Sequence, residues 1–82
     1  MDAFETREKG RDEEFLGRFG KRVRELRLAR HLSQEKLAFG CNLTQTYISQ
    51  VENGQRNASL LIIRLLAQAL KVTLSELFQG VE

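Results

Sequence analysis

Ser33-Gln34-Glu35-Lys36-Leu37-Ala38-Phe39-Gly40-Cys41-Asn42-Leu43-Thr44-Gln45-Thr46-Tyr47-Ile48-Ser49-Gln50-Val51-Glu52-Asn53-Gly54 is the stretch that decides the fold of this chain. Ser33 is an N-cap residue ahead of a short helix whose Leu37 and Ala38 face a core, and the chain breaks around Gly40, Cys41 and Asn42. Thr44 caps the next helix, Gln45 to Glu52, with Ile48 and Val51 on its inner side and Asn53-Gly54 as its stop. Two helices this short gain little stability alone, so they must cross closely and share a core. Ala38 leaves room for that crossing, and Asn42 takes the positive φ of the turn more cheaply than most residues.

The pattern continues on both sides. Phe15, Phe19, Val23 and Leu26 recur at helical spacing, with Arg18, Lys21, Arg22 and Glu25 on the opposite side, which predicts a first helix ending near Arg30. After a polar loop from Gln55 to Ala58, Ser59 caps a fourth helix with Leu60, Ile63, Leu66, Ala67 and Leu70 as its apolar stripe. Thr73-Leu74-Ser75-Glu76 has the spacing of a capping box and opens a short fifth helix ending near Gln79. No alternation of β-branched residues competes, so the reading is all-α with five helices. Residues 1–14, mostly charged and with little apolar periodicity beyond Phe4, are expected as a tail or a weak helix extension, and residues 15–82 as one domain.

Composition narrows the function classes. A chain of 82 residues fits one small core and leaves no room for a catalytic domain beside it. The net charge of +2 averages unlike segments: residues 1–14 carry six acidic and three basic side chains, whereas residues 15–58 carry eight basic and three acidic, a local +5 (8 minus 3). A basic segment of that kind suits a polyanionic partner. Cys41 is the single cysteine and sits among apolar residues, which fits a reducing cytoplasm and a buried thiol. No leader-like opening is evident, and the Leu60 to Leu70 stretch, broken by Arg64 and Gln68, is too short to span a membrane, so a soluble protein is expected. His31 lacks partners at ligand or triad spacing and reads as a helix-end residue; no metal, cofactor, small-molecule effector or catalytic group is expected.

The outward side of the third helix carries Gln45, Thr46, Ser49 and Gln50, all uncharged hydrogen-bonding groups. A Gln amide offers donor and acceptor together and can pair with adenine N6 and N7 in a major groove, and a Thr methyl can meet a thymine methyl. These four are the candidate base-reading residues of double-stranded DNA. Gln34 at a helix start, Thr44, Arg56 and Asn57 are candidates for phosphate contact. Tyr47 either brushes the DNA backbone or seals the helix pair, and Arg18, Lys21, Arg22 and Arg24 are read as steering charge.

From Phe19 to Phe78 the chain resembles the phage-repressor-like (XRE, Cro/C1-type) helix-turn-helix transcriptional regulators. The resemblance rests on Leu32-Ser33-Gln34-Glu35-Lys36-Leu37-Ala38, Tyr47-Ile48-Ser49-Gln50-Val51-Glu52-Asn53-Gly54, Leu66-Ala67-Gln68-Ala69-Leu70 and Leu74-Ser75-Glu76-Leu77-Phe78. Thr46-Tyr47-Ile48-Ser49 followed by Arg56-Asn57 is similar to the controller proteins of restriction-modification systems. The resemblance implies a compact lambda-repressor-like DNA-binding domain that grips a palindromic operator as a homodimer, with helix 44–53 in the major groove. It implies phosphate contact at Gln34, base contact at Gln45, Thr46 and Gln50, and backbone anchoring at Arg56 and Asn57. It also implies an Arg27–Glu52 pair of structural role. His31, Asn42 and Lys71 stand where the family often has Gly, so each needs either left-handed backbone or an altered helix end. Leu61, Ile62 and Leu65 lie off the main stripe of the fourth helix. They either broaden the core or, with Leu77 or Phe78, form a two-fold dimer interface. The competing reading is an antitoxin or adaptor that uses the same fold to hold a protein.

Overall fold

Ser33, Thr44, Ser59 and Thr73 each stand in extended backbone with a side-chain oxygen accepting the backbone N–H three residues on, at 3.1, 3.1, 3.3 and 3.0 Å. These four caps divide the chain. In the computed structural model, which describes residues 9–82, they open α2 (Gln34–Cys41), α3 (Gln45–Glu52), α4 (Leu60–Leu70) and α5 (Leu74–Leu77) after a long α1 (Lys9–Ala29). At Thr73 the box is complete, since Glu76 Oε1 accepts the Thr73 backbone N–H at 2.9 Å. That bond, then the Thr73 side chain, then Arg22 and Arg30, hold the Glu76 carboxyl below its ordinary pKa.

The fold is all-α, with α2 and α3 crossing each other and resting on α1 and α4. Val23, Ile48, Leu66, Leu70 and Leu77 have no exposed surface and form the centre of the core. The helix of α1 starts at Lys9 rather than near Phe15; residues 1–8, the outer part of the charged segment, lie outside the described residues. Two stripe residues depart from the periodic reading. Phe15 is 42% and Leu60 75% exposed, Phe15 in the N-terminal third of α1 and Leu60 as the first residue of α4. Periodicity gives a side chain's direction and says nothing of where the neighbouring helix stops.

His31, Asn42 and Lys71 all adopt left-handed backbone, with φ of 57°, 54° and 58°. Each is followed by an apolar residue whose N–H reaches back five residues: Leu32 to Arg27 O, Leu43 to Ala38 O and Val72 to Ala67 O, at 3.1, 2.9 and 3.0 Å. The same helix ending is thus made three times without glycine; Leu32, Leu43 and Val72 are each half-buried, and Leu43 and Val72 pack against the core. Arg30 tightens the ending of α4 by donating to Leu70 O and Lys71 O at 3.0 and 3.1 Å. Lys71 is exposed, so Lys71→Gly removes a left-handed penalty of roughly 1–2 kcal/mol against roughly 0.5–1 kcal/mol of extra glycine chain entropy. Thermal unfolding is expected to show a gain of about 0.5–1 kcal/mol; an unchanged or lower midpoint would contradict a strained ending.

The C-terminal segment is tied to α1 by arginines. Arg18 Nη1 donates to Glu82 O at 2.8 Å, and Arg22 donates from Nε and Nη2 to Glu76 O at 3.1 and 2.8 Å. Phe19 and Phe78 stack with centroids 5.2 Å apart over this junction. Arg18 and Arg22, read from sequence as steering charge, therefore fasten the chain end.

Candidate nucleic-acid interface

The angle of α3 is set by a buried ionic lock. Arg27 donates from Nε and Nη2 to both Glu52 carboxylate oxygens at 2.6 and 3.0 Å, and from Nη1 to Leu32 O at 2.8 Å. Gln34 Nε2 donates to Glu52 Oε1 at 3.2 Å. The lock joins α1, the entry to α2 and the exit of α3 in one network, with the Arg27 and Glu52 side chains only 10% and 3% exposed. The fork-to-carboxylate geometry fixes angle as well as distance, so α3 cannot roll on its bed without breaking two charged hydrogen bonds.

With Ile48 and Val51 buried beneath it, α3 turns the other flank to solvent. Gln45 and Thr46 are exposed and Ser49 and Gln50 half-buried, and together with Gln34 they line one open depression. All four candidate base readers therefore share a surface. Gln34 stands at its edge, with its side-chain amide already donating to Glu52. The Thr44 hydroxyl oxygen is likewise engaged, as the α3 cap.

Arg56 joins this surface in a way that sequence reasoning missed. Its Nε donates to Gln50 Oε1 at 2.8 Å, and its guanidinium carbon lies 4.8 Å from the centroid of the Tyr47 ring. Tyr47 packs against the core and receives Arg56 on its ring. The i,i+3 spacing of Tyr47 and Gln50 was visible in the sequence, but Arg56 lies in a loop with no period to place it. Asn57 is exposed and lines a separate depression with Asp12, Phe15 and Leu16, beside the first turns of α1.

The five residues expected at a dimer interface fall into two groups. Leu61 and Leu65, 69% and 39% exposed, line an open depression with Arg64 and Gln68 on α4. Ile62 is half-buried against the core, and Phe78 is half-buried on Phe19. Leu77 is a correction: it has no exposed surface, because α5 points it into the monomer core, and it offers nothing to a partner. Phe39, 89% exposed on α2, is apolar surface that the helical pattern did not single out.

Cys41 is buried, its thiol pushed up from its ordinary pKa by desolvation, with Sγ 3.7 Å from Leu65 O. It is a core side chain. Among the described residues no group of three His, Cys, Asp or Glu side chains converges, and no helix is long and apolar enough to cross a membrane.

A family model described as helix-turn-helix matches residues 23–77, which contain α2 and α3 entire. The chain belongs to the helix-turn-helix family. Within that family it is 53% identical over 55 residues to the control protein C.BamHI of Bacillus amyloliquefaciens, covering 66% of this chain and 68% of that one. The restriction-modification controller protein C.AhdI from Aeromonas hydrophila is 54% identical, with a TM-score of 0.75 over 77% of this chain and 96% of its own. The controller protein C.Esp1396I, solved as a tetramer in complex with its natural 35 base-pair operator, is 30% identical with a TM-score of 0.75 over 82% of this chain and 88% of its own. The chain is thus a helix-turn-helix protein of the controller group, and the resemblance read from residues 19–78 is the family shown by these comparisons.

Proposed function

We propose that this helix-turn-helix protein is a sequence-specific, DNA-binding transcriptional regulator of the restriction-modification controller type. The observation that carries the reading is the polar flank of α3, which the Arg27–Glu52 lock holds outward while Ile48 and Val51 fill the core beneath. A homodimer sets α3 of each subunit in the major groove of a palindromic operator, with half-sites about one helical turn, roughly 34 Å, apart. Gln45, Thr46, Ser49 and Gln50 face base edges; Gln34, Thr44, Tyr47, Arg56 and Asn57 lie along the backbone. The exposed Leu61 and Leu65, with the edges of Ile62 and Phe78, supply the apolar surface for dimerisation. The operator complex of the C.Esp1396I tetramer supports an assembly of more than one subunit on DNA. Residues 15–82 form the DNA-binding unit behind a charged N-terminal extension. The protein works without catalysis or cofactor in the prokaryotic cytoplasm, at the nucleoid.

Selection from a random duplex library is expected to return a palindrome with that half-site spacing. On the selected operator, Gln50→Ala should cost on the order of 1–3 kcal/mol in binding with little loss on random DNA, read by titration at fixed salt. Equal losses on both duplexes would sink base reading by α3.

A further inference from the structure

We infer that Arg56 is a positioning residue that sets the base preference of Gln50, turning an adenine-compatible side chain into one that selects guanine. This rests on the proposed DNA reading by α3.

Arginine has five N–H donors and no acceptor, so the atom of the Gln50 amide that meets Arg56 Nε at 2.8 Å must be the carbonyl oxygen. A free glutamine turns its amide over readily, because the terminal torsion is broad and two-fold. In that state it offers oxygen and nitrogen together, the pairing that suits adenine N6 and N7. Arg56 removes the freedom. The guanidinium is itself seated against the Tyr47 ring, 4.8 Å from its centroid, and Tyr47 packs on the core, so the oxygen is drawn toward a fixed partner. Oε1 keeps a second lone pair, but the bond to Nε turns it toward Arg56 and leaves Nε2, the donor side of the amide, as the part offered to a base. Guanine presents two acceptors in the major groove, N7 and O6, whereas adenine places its N6 donor where the second acceptor would be. An amide held with its donors outward therefore matches guanine, and it can accept from adenine N6 only by turning over and giving up Arg56.

Two measurements test this. In the free protein, the Arg56 Nε–H resonance should exchange slowly with water and speed up on Gln50→Ala; fast exchange in the parent would overturn the pairing with no reference to DNA. In duplex selection, the parent should prefer guanine over adenine at the Gln50-dependent position by roughly 5- to 100-fold. That preference should collapse or reverse in Arg56→Met and be kept at least in part in Arg56→Lys, whose ammonium can still donate to Oε1. Methionine keeps the length of the side chain without a donor, so a guanine preference retained in Arg56→Met would reduce Arg56 to a phosphate anchor and overturn the inference. Replacing that guanine by 7-deazaguanine should weaken the parent and leave Gln50→Ala unaffected; equal weakening of both would also count against it. A parent with a slowly exchanging Nε–H that selects no duplex sinks the DNA reading, and the base preference with it, while the Arg56–Gln50 pair stands.

Discussion

Replacing Arg27 by Met or Glu52 by Leu is expected to lower the stability of the domain by about 3–5 kcal/mol in either single variant. Glu52 accepts three hydrogen bonds, two from Arg27 and one from Gln34, with its side chain 3% exposed. Removing Arg27 leaves a desolvated carboxylate with one amide, and also strips Leu32 O of its donor. Removing Glu52 leaves a largely buried guanidinium with the Leu32 carbonyl as its remaining partner. Neither charge can return to water without moving α3 off α1. The double variant should lose much less than the sum of the singles, because two apolar side chains of similar volume leave no orphaned charge. Denaturant titration of the two singles and the double closes the cycle. Since small domains carry only about 5–15 kcal/mol in total, either single change should leave the protein marginal at physiological temperature. Single losses under about 1 kcal/mol would mean that the lock is solvated and does not set the angle of α3.

Gly20→Ala is the second change expected to act strongly. A Cβ at Gly20 would fall on the carbonyl oxygens of Val51 and Glu52 and within 2.8 Å of the Glu52 carbonyl carbon. All of these are backbone atoms, so no side chain can swing aside and α1 must move away from the end of α3. Overpacking of this kind costs about 1–3 kcal/mol or more, which outweighs the roughly 0.5–1 kcal/mol that alanine gains over glycine inside a helix. Three residues earlier the balance reverses: a Cβ at Gly17 meets nothing within 4 Å, so Gly17→Ala should stabilise by roughly 0.5–1 kcal/mol. At about 4–8 °C per kcal/mol for a domain of this size, thermal unfolding separates the two. A stable Gly20→Ala protein would show that α1 and α3 tolerate a wider crossing. Because the same contact carries Glu52, a tolerated substitution that shifted α3 should appear as weakened operator binding.

The starts of α2 to α5 were legible in the sequence because capping is local: an oxygen on Ser33, Thr44, Ser59 or Thr73 finds an N–H three residues away whatever the rest of the chain does. The inward sides of α2 and α3 and the flank carrying Gln45, Thr46, Ser49 and Gln50 were legible for a similar reason, since helical spacing fixes relative direction. The endings at His31, Asn42 and Lys71 were open between two conformations. The left-handed one lets the N–H of the following residue reach back five residues and turns that apolar side chain, half-buried in each case, toward the protein.

By itself, then, the sequence determined an all-helical chain, its segments, and which flank of α3 would be polar. Only the tertiary structure decided that Leu77 is core and Leu60 surface, that Arg18 and Arg22 fasten the C-terminal segment, that Gly20 is a contact point, and that Arg56 reaches Gln50. The division follows from range. Capping and periodicity act over three or four residues, whereas these contacts join positions from six to 64 residues apart, whose meeting depends on how the helices cross.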